Sequence, residues 1–264
     1  RCWRPVANLL RQAGHTVTTP TNTGLGERRH LLSPEITLDT FVEDIVQHLL
    51  AEDLRQVVLV GHSFGGAVIS GVVDRIPERV VRLVFLDALI LTGGRSVFDT
   101  LSPPLRRKRT EAARRFSSAY YASSHKAGGR HGRSASDGAG EEAPLVAFPV
   151  PPRGSFGIED AVRDAELVAT LAPHPYRTYT TPLRLRHPLG NGKPCDYIEC
   201  VRPAYQPVAP YHQLRDALQW PNHTIATGHD AMVSAPEELA ALLVRVASSG
   251  GCRDGTPLAT AGKL

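Results

Sequence analysis

A serine flanked by glycines is the first group in this chain that could do chemistry. Ser63 lies between Gly61 and Gly65 in the spacing Gly-x-Ser-x-Gly, with an apolar run at 57–60 before it and another from Ala67 after it. This arrangement predicts a strand, a sharp turn and a helix, with Ser63 at the turn. The glycines leave room for the crowded backbone, so the serine hydroxyl can point outward as a nucleophile. The alternative is an ordinary glycine-rich turn between a strand and a helix.

A serine hydroxyl is a weak nucleophile at neutral pH, so Ser63 needs a general base, and the base needs an orienting acid. His229 is our candidate base, because it follows the last predicted strand and precedes a predicted helix. Asp87 is our candidate acid, because it directly follows the apolar run at 80–86. Hydrolases with this kind of turn carry serine, acid and histidine in this order along the chain. The alternatives are a structural loop histidine and an aspartate that caps a turn.

The choice of acid rests partly on elimination. The other position for an acid is the loop after the next strand, at 202–210, and it contains no Asp or Glu. Glu199 lies inside a predicted strand, and Asp216 lies on a predicted helix. Asp87 is therefore the acid that we expect beside His229.

The negative oxygen that develops during acyl transfer needs hydrogen-bond donors. We expect the backbone N–H of Phe64 to be one donor, and we place Phe64 and His62 in the oxyanion and substrate part of the site. A second donor should come from a loop after an earlier strand. The chain begins with Arg1, and a predicted helix starts directly after it. We therefore expect a strand ending in a His-Gly turn to precede residue 1.

Short apolar runs alternate with amphipathic segments along most of the chain. We predict helices at 3–13, 37–49, 158–171, 211–220 and, after a capping box at 234–237, up to 247, and strands at 15–19, 57–60, 80–86, 197–201 and 224–227. Such alternation is typical of an α/β fold with a mostly parallel, doubly wound sheet covered on both faces. The first strand or strands of that sheet are not found in the sequence.

The domain organisation follows from a change in pattern after Leu91. We expect one core built from 1–91 and 186–247, with 92–185 inserted as a helical cap. Within the cap, the Gly-, Ser-, Arg- and His-rich stretch 122–143 shows no apolar period and is expected to be disordered. The tail 248–264 is expected to be disordered as well.

The composition narrows the class of protein. The chain has 264 residues, 42% of them hydrophobic, and a net charge of +4. No apolar run approaches the ~18 residues needed to span a bilayer. The four cysteines lack the spacing of a zinc site or a disulfide framework, which favours a cytoplasmic protein without a zinc site. We assign the basic run at 106–109, with Arg114 and Arg115, to a solvated helix face, and so expect neither nucleic acid nor a membrane as a partner.

Several motifs together resemble a known family. They are Trp3-Arg4-Pro5-Val6, Thr23-Gly24-Leu25-Gly26-Glu27-Arg28, Val60 to Gly66, Leu86-Asp87-Ala88 and Gly228-His229-Asp230-Ala231-Met232. They resemble bacterial α/β-hydrolases that are similar to plant methylesterases and hydroxynitrile lyases, over about 1–100 and 150–247. The resemblance implies the α/β-hydrolase fold, a Ser-His-Asp triad, a small helical cap and esterase activity on small esters without a cofactor. It does not extend over 122–143.

The chain departs from this family in two ways. The plant enzymes usually carry their acid after the penultimate strand, where this chain has none. The lyases have a lysine beside the catalytic histidine, whereas this chain has Asp230, which would repel cyanide. We therefore expect a serine esterase acting on a small-molecule ester, as a monomer or homodimer. The alternatives are a weakly catalytic or non-catalytic binding protein on the same fold and, less favoured, a hydroxynitrile lyase.

Overall fold

The computed structural model describes residues 2–126, 143–249 and 258–261. The helices are α1 (Arg4–Gln12), α2 (Leu38–Ala51), α3 (Gly65–Arg75), α4 (Val97–Thr100), α5 (Pro103–Lys126), α6 (Ala161–Thr170), α7 (Tyr176–Thr180), α8 (His212–Ala217), α9 (Ala231–Ser234) and α10 (Pro236–Ser248). The strands are β1 (Val17–Thr18), β2 (Val57–His62), β3 (Val80–Leu86), β4 (Ala147–Phe148), β5 (His174–Pro175), β6 (Cys195–Cys200), β7 (Asn222–Ile225) and β8 (Leu258–Ala261). Short 3₁₀ helices lie at Gly26–Leu31, Pro77–Arg79 and Gln206–Tyr211.

A parallel sheet forms the centre of the fold. Its six strands follow the order β1-β8-β2-β3-β6-β7, and every neighbouring pair is parallel. Strands β4 and β5 form a separate antiparallel pair. In a parallel sheet the carboxyl ends of all strands meet at one edge, where ligands bind in open α/β sheets. The loops after β2, β3 and β7 therefore converge on that edge.

Helices cover both faces of this sheet because its strands are apolar on both sides. Leu59 and Phe85 belong to a core that includes α2 and α3. Val60 and Val84 point the other way, into a core that includes α1 and α10. Alternation along each strand thus supplies two cores. The predicted α/β fold with a parallel, doubly wound sheet is confirmed.

Most elements predicted from periodicity are present, with ends displaced by a few residues. The helix predicted from the apolar positions after Thr37 is α2, and all five of those positions are buried: Leu38, Phe41, Val42, Ile45 and Leu49. The predicted strand at 80–86 is β3. Helix α1 ends before Gly14, which has φ +88°. Glycine tolerates this left-handed conformation without strain.

Two predictions for the C-terminal part of the chain are wrong. Ser234 does not cap α10, because it lies in α9, where its hydroxyl donates to the carbonyl of Asp230 over 3.1 Å. Residues 258–261, assigned to a disordered tail, form β8 because β1 and β2 together offer backbone partners on both of its edges. The stretch predicted to be disordered at 122–143 begins as the last turn of α5, and 127–142 lie outside the described residues.

The segment predicted as a cap contributes no strand to the six-stranded sheet among its described residues. Its described parts hold α4 to α7 and the β4–β5 pair. Within the described part of the chain, no helix is long and apolar enough to cross a membrane.

The turn after β2 is built from close backbone contacts. A methyl group on Gly61 would lie 2.6 Å from the carbonyl oxygen of Gly65. A methyl group on Gly66 would lie 2.2 Å from the carbonyl oxygen of Leu89, in the loop after β3. Both distances are too short for a β-carbon, so the glycines let α3 pack directly against the two strand ends.

We expect Gly61→Ala to lower the free energy of unfolding by more than 2 kcal/mol, because the new methyl group meets rigid backbone atoms. Gly14→Ala is the control, since Gly14 is left-handed but has open space around its α-carbon. That variant should lose only about 1 kcal/mol. Urea unfolding of both variants measures the difference, and equal losses would contradict the close contact at Gly61.

Candidate active site

Ser63 occupies the strained turn that the sequence predicts. It follows β2 directly and has φ +52°, a conformation that costs a serine free energy. Backbone hydrogen bonds fix it there: its N–H donates to the carbonyl of Leu86 over 3.1 Å, and its carbonyl accepts from the N–H of Leu89 over 2.9 Å. The loops after β2 and β3 are thus tied together through Ser63.

Asp87 and His229 form a buried pair at the same edge of the sheet. Oδ2 of Asp87 lies 2.6 Å from Nδ1 of His229, although 142 residues separate them in the chain. Both residues are almost fully enclosed, with 1% and 0% of their surface exposed. Oδ1 of Asp87 accepts a hydrogen bond from the backbone N–H of Cys200 over 3.3 Å. A carboxylate held in this way fixes both the tautomer and the orientation of an imidazole.

The carboxyl group of Asp87 has an unusual acidity. Burial raises the pKa of Asp87 to about 7, and the hydrogen bond from Cys200 acts in the opposite direction. A buried carboxylate loses hydration, which disfavours its charged form. The imidazole of His229 is the nearby group that can compensate for this loss, because an imidazolium beside the carboxylate restores an opposite charge.

The loop that carries His229 is held by the cap segment. The N–H of His229 donates to the carbonyl of Phe156 over 3.1 Å, and a methyl group on Gly228 would lie 2.3 Å from the carbonyl oxygen of Gly157. The ring of Tyr205 stacks on the imidazole with 3.9 Å between centroids, and the ring of Phe156 lies 6.0 Å away. Backbone and ring contacts together leave the imidazole little freedom.

The two residues beside Ser63 contribute in different ways. Nε2 of His62 lies 2.9 Å from the carbonyl oxygen of His229, and the two imidazoles are 4.5 Å apart between centroids. His62 therefore connects the turn at Ser63 with the loop of His229. The side chain of Phe64 belongs to the core, where it stacks on Tyr179 at 5.0 Å. Its backbone N–H precedes the first turn of α3, where donors lack partners within the helix.

A cavity of about 100 Å³ opens above Ser63. Its walls are mainly apolar and aromatic, and they include Phe148, Phe156, Tyr179, Tyr205 and Tyr211. Phe64 and Leu91 belong to the core and Trp220 packs against it, and none of the three lines this cavity. The described residues include no cluster of His, Cys, Asp or Glu suited to a metal ion.

A larger cavity of about 380 Å³ lies near the start of α1. It is lined by Trp3 and Asn22 and shares Leu171 and Ala172 with the cavity above Ser63. None of the three candidate catalytic residues lines it. We therefore take the smaller cavity as the candidate site, because Ser63 lines it.

The two other candidate acids lie in a separate ion-pair network. Nη1 of Arg215 lies 2.7 Å from Oε2 of Glu199, and Nε of Arg215 lies 2.7 Å from Oδ1 of Asp216. Asp87 is the one of the three candidates that contacts His229. The second oxyanion donor stays a prediction, and no residue is assigned to it.

Sequence reasoning did not find three residues that shape the site. Tyr205 stacks on His229, and Arg109 lines the cavity. The hydroxyl of Tyr197 donates to the carbonyl of Ala88 over 3.0 Å and accepts from its N–H over 2.9 Å, which holds the turn after Asp87. Lone tyrosines and one arginine within a basic run carry no spacing signal that separates them from core and surface residues.

Comparisons with known proteins identify the family and the fold of this chain. A model described as the alpha/beta hydrolase family matches residues 1–242. The carbendazim hydrolyzing esterase of Nocardioides sp. (strain SG-4G) is 34% identical over 240 residues, which cover 90% of this chain and 91% of the relative.

Solved structures show the same fold. An extracellular alpha/beta-hydrolase from a Paenibacillus species has a TM-score of 0.67 at 21% identity, with 92% of each chain covered. The methylesterase MES16 from Arabidopsis has a TM-score of 0.62 at 19% identity, with 94% of this chain and 93% of that chain covered.

The burial of Asp87 predicts a pH-dependent stability. Because its native pKa of about 7 lies above the ordinary aspartate pKa of 3.8, Asp87 contributes stability that is fully present below about pH 4 and lost as the pH rises through 7. Asp87→Asn removes this loss. Relative to the wild type, we expect the variant to gain at least about 1 kcal/mol of unfolding free energy between pH 5 and pH 8.

Urea unfolding of both proteins at the two pH values tests this expectation. Asp216→Asn serves as a control, because Asp216 is exposed and its pKa is lowered by Arg215. Relative to the wild type, Asp216→Asn should gain no free energy of unfolding between pH 5 and pH 8. A difference in unfolding free energy between wild type and Asp87→Asn that is the same at both pH values would contradict a raised pKa at Asp87.

Proposed function

This chain belongs to the alpha/beta hydrolase family, and from that premise we propose that it is a serine esterase that cleaves small carboxylic esters through an acyl-serine intermediate. Ser63 is the nucleophile, His229 the general base and Asp87 the residue that orients His229. No cofactor takes part. The observation that carries the proposal is the buried pair formed by Nδ1 of His229 and Oδ2 of Asp87, 2.6 Å apart, next to the strained turn at Ser63.

The proposed reaction has two halves. His229 takes the proton from the hydroxyl of Ser63 as its oxygen attacks the ester carbonyl, and the negative oxygen accepts a hydrogen bond from the N–H of Phe64. The tetrahedral intermediate collapses, the C–O bond to the alcohol breaks, and His229 gives the alcohol its proton. A water molecule, deprotonated by His229, then attacks the acyl-serine; the bond from the acyl carbon to the Ser63 oxygen breaks, the acid leaves, and His229 returns the proton to Ser63. Asp87 stabilises the imidazolium that forms in each half.

The position of His229 supports its role as base. His62 precedes Ser63 in the chain, and its ring lies 4.5 Å from that of His229. Tyr205 and Phe156 both flank His229, and both line the cavity that Ser63 lines. The imidazole is therefore enclosed between the wall of this cavity and the turn that carries the nucleophile.

The substrate class is proposed from the cavity and the relatives. A space of about 100 Å³ with aromatic walls favours small esters. The related Nocardioides esterase is named for hydrolysing carbendazim, so carbendazim belongs in a first substrate panel beside p-nitrophenyl acetate and simple methyl esters.

Two other functions use the same residues. A binding protein without catalysis would keep the cavity but would not react at Ser63. A hydroxynitrile lyase would release cyanide beside His229, where Asp230 lies buried in the next position of the chain. A negative side chain there opposes an anionic product, so the esterase is favoured over the lyase. Cleavage of mandelonitrile would support the lyase instead.

Ser63→Ala is expected to lower the hydrolysis of p-nitrophenyl acetate at least 1000-fold and to abolish labelling by a fluorophosphonate, since both need the hydroxyl. Ser70→Ala is the matched control: Ser70 is also buried, but its hydroxyl donates to the carbonyl of Gly66 within α3. The control should keep burst release of p-nitrophenol and labelling. Esterase activity that survives Ser63→Ala would overturn the proposed nucleophile, and a folded wild type that is not labelled would favour the binding protein.

The acidity of Asp87 predicts the pH profile of the reaction. Below about pH 7 the carboxyl group of Asp87 takes up a proton, so it no longer stabilises an imidazolium on His229. We therefore expect kcat/KM to fall roughly tenfold for each pH unit below this point. Steady-state rates from pH 5 to 9 measure the profile, and full recovery after return to pH 8 excludes denaturation. A rate that stays constant down to pH 5 would contradict the proposed role of Asp87.

A further inference from the structure

One basic residue of the cap faces the candidate site rather than solvent. Arg109 belongs to the run 106–109, which the sequence assigns to a solvated helix face. Arg107 and Lys108 are indeed exposed. Arg109 is half-buried and lines the cavity above Ser63. For this residue the assignment is wrong.

The helical period explains why Arg109 turns inward. Ala113 and Ser117 of α5 are buried, with 0% and 4% of their surface exposed. Arg109 lies four and eight residues before them, on the same face of the helix. The hydroxyl of Ser117 also accepts from the N–H of Val146 over 2.9 Å, which fixes this face of α5 against the segment that leads into β4.

Aromatic rings hold the guanidinium in place. Its central carbon lies 5.5 Å from the ring centroid of Tyr179 and 6.0 Å from that of Phe148, and both rings line the same cavity. Contacts of a guanidinium with ring faces are attractive, and the side chain of Arg109 also donates a hydrogen bond to the hydroxyl of Tyr179. A guanidinium has five N–H donors, so donors remain for a further partner. Among the ranges that the structure describes, no carboxylate lies within ion-pair distance of Arg109. The positive charge of Arg109 is therefore not neutralised by a carboxylate of the described residues.

The charge of Arg109 also reaches the other groups of the cavity. It acts to lower the pKa values of Tyr179, Tyr205 and Tyr211, although burial raises all three overall. Burial, followed by the charge of Arg109, lowers the pKa of His174 to about 3, so His174 is neutral. Among these groups of the cavity, Arg109 therefore provides the positive charge.

We propose that Arg109 binds a carboxylate of the substrate, so that the site prefers esters that carry a second, ionised carboxyl group. Monoesters of short dicarboxylic acids have this form: one end is the ester that Ser63 attacks, and the other is an anion for the guanidinium. A guanidinium can bind a carboxylate through two parallel hydrogen bonds, which gives direction as well as charge. This inference rests on the proposed ester hydrolysis at Ser63.

Matched substrates test the preference directly. Monomethyl succinate, monomethyl glutarate and monomethyl adipate are each compared with the neutral methyl ester in which the free acid is a primary amide of nearly the same shape. For at least one chain length, we expect the full chain to show a kcat/KM about tenfold or more higher for the acid than for the amide, mainly through a lower KM. The series also identifies the distance between the scissile bond and the guanidinium.

Substitutions then assign the preference to one residue. Arg109→Gln should lower the ratio of kcat/KM for acid over amide at least tenfold. Arg109→Lys should keep part of this ratio, because lysine has the charge but not the planar guanidinium. Arg107→Gln is the control, since Arg107 is exposed on the same helix. It removes one positive charge and should leave the ratio unchanged.

Each outcome decides the inference. A wild-type ratio of kcat/KM for acid over amide of one or less at all three chain lengths overturns the inference. An equal loss of kcat/KM on acids and amides in Arg109→Gln also overturns it, because Arg109 would then only pack against the rings. Should Arg109→Gln not fold, the wild-type ratio and the Arg109→Lys ratio decide. Failure of the proposed function is distinct, because the wild type would then hydrolyse neither the acids, nor the amides, nor p-nitrophenyl acetate.

Discussion

The hydrogen bond between Asp87 and His229 is the interaction on which the candidate site depends. It joins the end of β3 to the loop after β7. Burial makes the charge on Asp87 expensive, and the same burial makes the carboxylate a strong partner for an imidazolium. A solvent-exposed aspartate would be easier to accommodate but would support the base less. The buried charge of Asp87 therefore lowers the stability of the folded protein at the position where the proposed mechanism needs a carboxylate.

The parallel sheet holds this costly arrangement in place. Ser63 and Asp87 both have positive φ, at +52° and +40°, directly after neighbouring strands. Hydrogen bonds between the two loops oppose relaxation, since the carbonyl of Ser63 accepts from Leu89 and the N–H of Asp87 donates to Ile198 of β6. Strain in a turn persists only where the surroundings determine the backbone from several sides. Three adjacent strands of a parallel sheet provide those constraints at one edge.

The sequence predicts the parts of this site that have local causes. Ser63 lies in a fixed glycine spacing, Asp87 directly follows an apolar run of strand length, and His229 follows a short predicted strand. The same logic predicts α2, α3 and β3. It does not predict β8, because a short polar and small-residue segment becomes a strand only when two neighbours offer it backbone partners. It also does not predict the contact of Tyr205 with His229, since ring stacking depends on tertiary placement and not on spacing.

The inward orientation of Arg109 in α5 could not be predicted from the sequence. A basic run on a helix favours a prediction of full exposure, yet a helix that packs on one side turns three to four residues of every two turns toward its partner. In α5 Arg109 is one of these residues, because Ala113 and Ser117 continue the same face into the protein. A long arginine stem can lie along apolar surface while its head reaches a cavity. The sheet positions the proposed triad, and the proposed recognition of a substrate carboxylate is assigned to Arg109, an inward-facing residue of α5.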